Sequence, residues 1–412
     1  MTEPSGDVGA LVAPLVITGG GAPLPRRGDE LGRPAVLRDG ALAWEDGALT
    51  YVGPASGLGA SAPMRLADTV TVVPGFVDAH THLPFFGWRA DEFEARLAGR
   101  SYRELHADGG IPRSARLLAE ASDEQVLAFC LPLVREMLDV GTTAVEFKTG
   151  YGLSVEGELR QARLARRLGE LAPQTCTVTL LACHALPEGI DRRRWVRLAC
   201  EELIPAASAE GLADAVDIYV EDIAFDLEDL ESVATAARLA GLPLRVHADQ
   251  LGPSGAARRA AQLGARTADH LNHADADGVR ALASGTTLAL LLPASTFLMG
   301  AQVPPLRELI DAGAPIGIAT DFNPGTSPVL SMPEAIAIGC ALYGMMPYEA
   351  LMASTANPAW ALGLDDRLGT LEVGKRADFL CLEGDDFRHV PYRPGHDPVL
   401  HTFVAGRRVG GR

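Results

Sequence analysis

Apolar runs alternate with stretches rich in Ala, Leu, Arg and Glu from about residue 72 to about residue 365. The apolar runs predict strands over 71–78, 142–148, 176–183, 213–221, 243–247, 267–270, 286–292 and 314–320. The stretches between them, 156–171 and 227–240 among them, predict helices. Eight strand–helix units in succession predict an α/β fold, a (β/α)8 TIM barrel over 71–365. A doubly wound open sheet is the alternative, but no GxGxxG follows the first strand.

The flanks read differently. Residues 1–70 are rich in Gly and Pro, and 41–44 and 48–52 flank Glu45-Asp46-Gly47, a predicted hairpin turn. The tail after residue 366 has the same character. We expect 1–70 and 366–412 together to build one small β-sandwich domain. The segment 84–140 is long for a first barrel connection, and long insertions at strand ends carry function.

Barrel enzymes place their functional residues at the C-terminal ends of strands. The first strand ends in Asp78-Ala79-His80-Thr81-His82. On a strand, positions i and i+2 share a face, so two imidazoles converge as half of a transition-metal site. His184 follows the third strand, His247 and His270 end the fifth and sixth, and Asp321 ends the eighth. Any one of these histidines reads equally well as a packed core residue. The chain has only 10 histidines, however, and the joint placement of five at strand ends points to a metal. Three histidines and an aspartate with an open position fit Zn or Fe. Such an ion lowers the pKa of a water, and a nearby carboxylate can take the proton.

Composition narrows the partners. A net charge of -17 argues against nucleic acid and against an anionic membrane surface. The 6 cysteines contain no CxxC pair, which fits reduced thiols in the cytoplasm. The N-terminus has an acidic start and no basic n-region, and the longest apolar runs are too short to span a bilayer.

The chain resembles the metal-dependent amidohydrolase superfamily and, within it, the imidazolonepropionase family. Pro74-Gly75-Phe76-Val77-Asp78 with His80 and His82, and Gly374-Lys375-Arg376-Ala377-Asp378, are superfamily-wide. More specific are Arg89-Ala90-Asp91-Glu92-Phe93, Glu146-Phe147-Lys148-Thr149-Gly150-Tyr151, Cys183-His184-Ala185 and Thr320-Asp321-Phe322-Asn323-Pro324-Gly325-Thr326-Ser327. The resemblance implies hydrolysis of the ring amide of 4-imidazolone-5-propanoate to N-formimidoyl-L-glutamate, in the cytoplasm, by a homodimer. It implies His80, His82, His247 and Asp321 as ligands of one Zn or Fe ion, with Asp321 also the base. His270 would contact the substrate carbonyl or the water. Arg89, Tyr102, Tyr151, His184, Gln250, Asn323, Gly325 and Thr326 would surround the substrate, with Arg89 forking onto its carboxylate. The plain alternatives are a surface ion pair of Arg89 with Asp91 or Glu92 and a core role for Tyr151. Lys148 ends the second strand, whereas two-metal relatives carry their carbamylated lysine on the fourth. That strand ends here in Glu221 and Asp222, so one metal is expected.

Two positions depart from the family pattern. Where many members carry His-x-x-Glu after the fifth strand, this chain has Gln250, which can orient a ring but cannot carry a proton. Arg113 adds a cation near the expected mouth, either for a carboxylate or for solvent. The competing functions are a related single-metal cyclic amidohydrolase or an aminohydrolase with another carboxylate-bearing ring substrate, and a non-catalytic metal-binding paralogue.

Overall fold

The computed structural model describes residues 8–59, 63–67, 69–101, 104–105 and 109–412. Strands from the two flanks join in one mixed sheet. It comprises β1 (Val8–Ile17), β2 (Val36–Glu45), β3 (Ala48–Pro54), β4 (Met64–Arg65), β5 (Val70–Pro74), β14 (Phe379–Glu383), β15 (Val399–Val404) and β16 (Arg407–Gly410). Their order is β16-β15-β14-β5-β1-β2-β3, with β4 beside β1. Asp46 and Gly47 both take positive φ, 50° and 80°, which closes the expected β2–β3 hairpin with the twist such a turn favours. Trp44 packs against Phe379 and Phe403 at 5.4 and 6.0 Å between ring centroids. The two chain ends therefore bury one shared apolar cluster, which neither could form alone.

The second sheet is the barrel. Its strands are β6 (Phe76–Asp78), β7 (Thr142–Lys148), β8 (Thr175–Cys183), β9 (Ala215–Val220), β10 (Leu244–Ala248), β11 (Thr267–His270), β12 (Leu288–Leu291) and β13 (Ile316–Ile318). Each pairs in parallel with its sequence neighbours. They are almost wholly buried on both faces, which is why they read as largely apolar runs. A bridge between Thr81 and Phe322 joins the ends of β6 and β13. There the Asp78 carboxylate accepts the N–H and hydroxyl of Thr320, at 3.1 and 2.6 Å.

Several boundaries differ from expectation. The single strand predicted over 71–78 is two: β5 belongs to the terminal sheet and β6 to the barrel. Gly75 divides them, packed so closely on Thr143 that a Cβ would overlap its side chain. The strands expected over 213–221, 286–292 and 314–320 are shorter at both ends: each starts two residues later, and the last one or two residues leave the ladder beyond its C-terminal end. The two predicted helices form, as Val155–Leu171 and Leu227–Leu239. The long first connection contains helices Ala90–Leu97, Gly110–Glu120 and Asp123–Asp139. No described helix is long and apolar enough to cross a membrane.

Candidate active site

The mouth of the barrel concentrates backbone conformations that L-residues avoid. Asp249, His270, Leu271 and Asp321 have φ of 51°, 75°, 63° and 56°. Each such residue costs about 1 to 3 kcal/mol and persists only where its surroundings hold it. All four lie at or just beyond strand ends, where the turns bring His270 and Asp321 into the cavity.

Side chains from β6 and β13 meet there. His80 and His82 bring their Nε2 atoms to 3.3 Å. Asp321 Oδ1 lies 3.5 Å from the first and 3.3 Å from the second. His247 and His270 close the cluster, with ring centroids 4.5 and 5.6 Å from that of His80. His247 Nε2 is buried and has no hydrogen-bond partner among the described residues. The groups His80–His82–Asp321 and His80–His247–His270 each bring three donor atoms within metal-binding reach.

Behind these rings lies a layer of charge. His80 Nδ1 is 2.7 Å from Asp269 and His247 Nδ1 is 3.1 Å from Asp217. Each aspartate thereby fixes a ring so that its Nε2 faces the cluster. Lys148 Nζ sits between them, 2.7 Å from Asp217, 2.9 Å from Glu146 and 3.5 Å from Asp269. Burial alone would lower the Lys148 pKa, but these carboxylates raise it, so the side chain is a permanent ammonium.

Burial sets His80, His82 and His270 neutral. It holds His80 well below the ordinary range, helped by the Lys148 charge. It also lowers His82, against the pull of Asp321, and takes His270 down to about 3. For Asp321, burial works upward, but the His82 hydrogen bond and the nearby His270 outweigh it and keep the carboxyl low. Neutral imidazoles beside a carboxylate are the protonation states that a metal ion requires.

A narrow cavity opens from this cluster. It is lined by His82, Arg89, Ile111, Tyr151, His184, Tyr219, His247, Gln250, His270, Asp321, Asn323 and Thr326. Most sequence-derived candidates thus come together. Tyr102 lies outside the described residues. Gly325 does not line the cavity, but a Cβ there would overlap the Arg89 guanidinium, so its role is to admit that side chain.

Arg89 is buried, not a surface ion pair, although its Nε comes within 3.6 Å of Glu92. Its Nε and Nη1 have no hydrogen-bond partner among the described residues. His184 Nδ1 lies 3.0 Å from the Gly150 carbonyl, which leaves its Nε2 as an acceptor. The Asn323 amide is spent on its own loop: Oδ1 accepts the Gly325 and Thr326 N–H groups at 2.9 and 2.8 Å, and Nδ2 donates to the Asp321 carbonyl. Arg113 is spent as well, 2.6 Å from Asp91.

Sequence reading missed Tyr219 and Ile111 in the lining and the pairing of Asp217 and Asp269 with the histidines. The available signal was an acid within an otherwise apolar strand, as in Ala215–Val220.

Comparisons with known proteins agree with this geometry. The amidohydrolase family model matches residues 71–409. The chain is 44% identical over 376 residues to an imidazolonepropionase of Rhizorhabdus wittichii, covering 90% of this chain and 94% of the relative. It is 41% identical over 378 residues to an imidazolonepropionase of Paracidovorax citrulli, covering 91% and 90%. Among solved structures, a zinc-bound adenosine deaminase of Xanthomonas campestris superposes with a TM-score of 0.70 at 20% identity, covering 98% of this chain and 92% of that one. At that identity the likeness shows the shared fold.

Proposed function

The chain belongs to the amidohydrolase family and, within it, to the imidazolonepropionases, and from that premise we propose how its residues divide the reaction. The reaction is hydrolysis of the ring amide C–N bond of 4-imidazolone-5-propanoate to N-formimidoyl-L-glutamate. One observation carries the assignment of roles. Three donor atoms of His80, His82 and Asp321 converge within 3.5 Å, and the same cavity is lined by Arg89, whose Nε and Nη1 have no hydrogen-bond partner among the described residues.

His80, His82, His247 and Asp321 would hold one Zn or Fe ion. The donor set fits: neutral imidazoles, a carboxylate and a His247 Nε2 that the described residues leave unengaged. Such an ion, when bound, polarises the scissile carbonyl and makes a water acidic near neutral pH.

The remaining work belongs to the chain. Asp321 accepts the proton of the attacking water and returns it to the departing ring nitrogen. His270 lies across the cluster and hydrogen-bonds the carbonyl oxygen as negative charge develops on it. Arg89 binds the propanoate through its open guanidinium edge. Tyr151, His184, Asn323 and Thr326 wall the ring. Gln250 orients the ring without exchanging a proton, which is tolerable because the leaving nitrogen becomes part of a delocalised amidine. We place the protein in the cytoplasm as a homodimer. Six unpaired cysteines support the compartment, and the dimer rests on the family resemblance.

The test is turnover of freshly generated imidazolonepropanoate by purified, metal-quantified protein. Ring opening without ammonia is expected. Ammonia release would mark an aminohydrolase, and no turnover by metal-loaded protein would overturn the reading.

A further inference from the structure

Gln250 stands where the cavity needs a fixed hydrogen-bonding group, yet its own side chain has only a weak anchor, Met299 Sδ at 4.0 Å. What holds it is its main chain. Directly after β10, Asp249 takes the left-handed conformation and turns the chain. The Asp249 carboxylate then locks the far side of the turn, accepting the N–H groups of Ser254, Gly255 and Ala257 at 2.8, 2.9 and 3.1 Å. On the near side, the N–H groups of Gln250 and Leu251 both point to one atom, Glu221 Oε1, at 2.6 and 2.9 Å.

Glu221 is itself held firmly. It follows β9 in a tight turn, where its N–H donates to the Phe225 carbonyl at 3.0 Å and its carbonyl accepts from Ala224 at 2.9 Å. It is buried, so its carboxylate is costly to place, and among the described residues it accepts from these two N–H groups. A carboxylate that accepts two consecutive N–H groups forms strong, directional bonds, and it fixes the dihedrals on both sides of Gln250.

We propose that Glu221 is a positioning residue, which grips the main chain of Gln250 and Leu251 and so aims the Gln250 amide into the substrate cavity. The inference rests on the reading above for what the amide meets there. The grip itself is independent of that reading. Glu221 does not line the cavity and acts through Gln250 alone.

The test is a double-mutant cycle in the full-length, metal-loaded enzyme. Glu221→Leu removes the acceptor, Glu221→Gln keeps Oε1, and Gln250→Ala removes the group being aimed. Glu221→Leu is expected to lower kcat/KM for imidazolonepropanoate roughly tenfold. The loss should match that of Gln250→Ala, and the double variant should be no worse than either single one. Glu221→Gln should stay close to wild type. Deuterium uptake over 249–252 should rise in Glu221→Leu and not in Glu221→Gln. Additive losses, or unchanged uptake in Glu221→Leu, would overturn the inference. If Glu221→Leu does not fold, Glu221→Asp retains the charge and shortens the reach by one methylene. It should raise uptake over the same four residues, and unchanged uptake would again refute the grip. If wild type turns over no imidazolonepropanoate, the functional reading fails, whereas the uptake comparison still decides whether Glu221 holds this loop.

Discussion

The main-chain N–H of Asp321 donates to the carbonyl of His80 at 3.0 Å, and the N–H of His82 to the carbonyl of Phe322 at 2.9 Å. The first and last barrel strands are thus stitched together at the two ends of the proposed ligand set. Barrel closure and site assembly are one event, since the bonds that close the sheet also set the spacing of His80, His82 and Asp321.

Asp321→Asn keeps that main-chain stitch and removes the carboxylate charge. We expect the variant to fold with near wild-type stability, to bind less metal and to lose turnover roughly 10²- to 10⁴-fold, the range for removal of a positioned base. Metal analysis by mass spectrometry alongside steady-state kinetics checks both parts. Full activity in the Asn variant would remove Asp321 from both roles.

Lys148 is the cation shared by buried Asp217, Asp269 and Glu146, and Arg245 Nε meets only Glu146 of the three, at 3.1 Å. Lys148→Met leaves three carboxylates without their shared cation. Denaturant melts should show a loss of about 3 to 5 kcal/mol, the cost of breaking a buried ion pair from one side. Adding Asp217→Asn should recover part of it. A Lys148→Met variant as stable as wild type would mean that the carboxylates are satisfied without the ammonium.

Gly325→Ala tests the packing of Arg89. A Cβ at 325 would overlap the guanidinium, so the side chain must swing out of its slot. The expected result is a KM for the carboxylate-bearing substrate raised about 10-fold or more, with kcat changed much less, because ground-state and transition-state binding suffer alike. Arg89→Lys should behave similarly, since an ammonium cannot supply the planar fork. An unchanged KM in both variants would show that the carboxylate binds elsewhere.

Glu221 carries a pH signature. Burial pushes its carboxyl up to about 7, with Asp249 and Asp222 adding to the rise and the two N–H bonds opposing it. Between about pH 4.5 and 7 the folded protein holds a proton that the unfolded chain has released. Stability contributed by this group therefore falls as pH rises through that window, by a total of order 3 kcal/mol. Glu221→Gln should lack this slope, which thermal melts of both proteins across the window would reveal. Parallel profiles would mean that the carboxyl titrates at its ordinary value.

Much of the site was legible because its signals are local. An apolar run that ends in His-x-His, or in Thr-Asp-Phe-Asn, marks a strand delivering polar groups to one end of a barrel. The loop chemistry was less legible. Asn323 is expected beside the substrate and does line the cavity, but the engagement of its amide in its own turn is not legible in the sequence. Arg113 reads as a cation near the mouth, for a carboxylate or for solvent, and only the fold brings it to Asp91. In both cases the partner is set by how the chain bends, which residue type does not reveal.

By itself the sequence determined the alternation of strand and helix, the hairpin at Asp46-Gly47 and the histidines and aspartate that crowd the barrel mouth. These follow from periodicity, turn preference and donor chemistry, each readable within a few residues. Only the tertiary structure decided that Gly75 hands the chain from one sheet to the other. It likewise decided that Lys148 is tied to Asp217 across 69 residues and His80 to Asp269 across 189, and that Glu221 holds Gln250. The first two of these pairings reach across the barrel interior between strands that are not neighbours in the sheet, and until the barrel closes nothing in the local chain states which distant group will stand opposite.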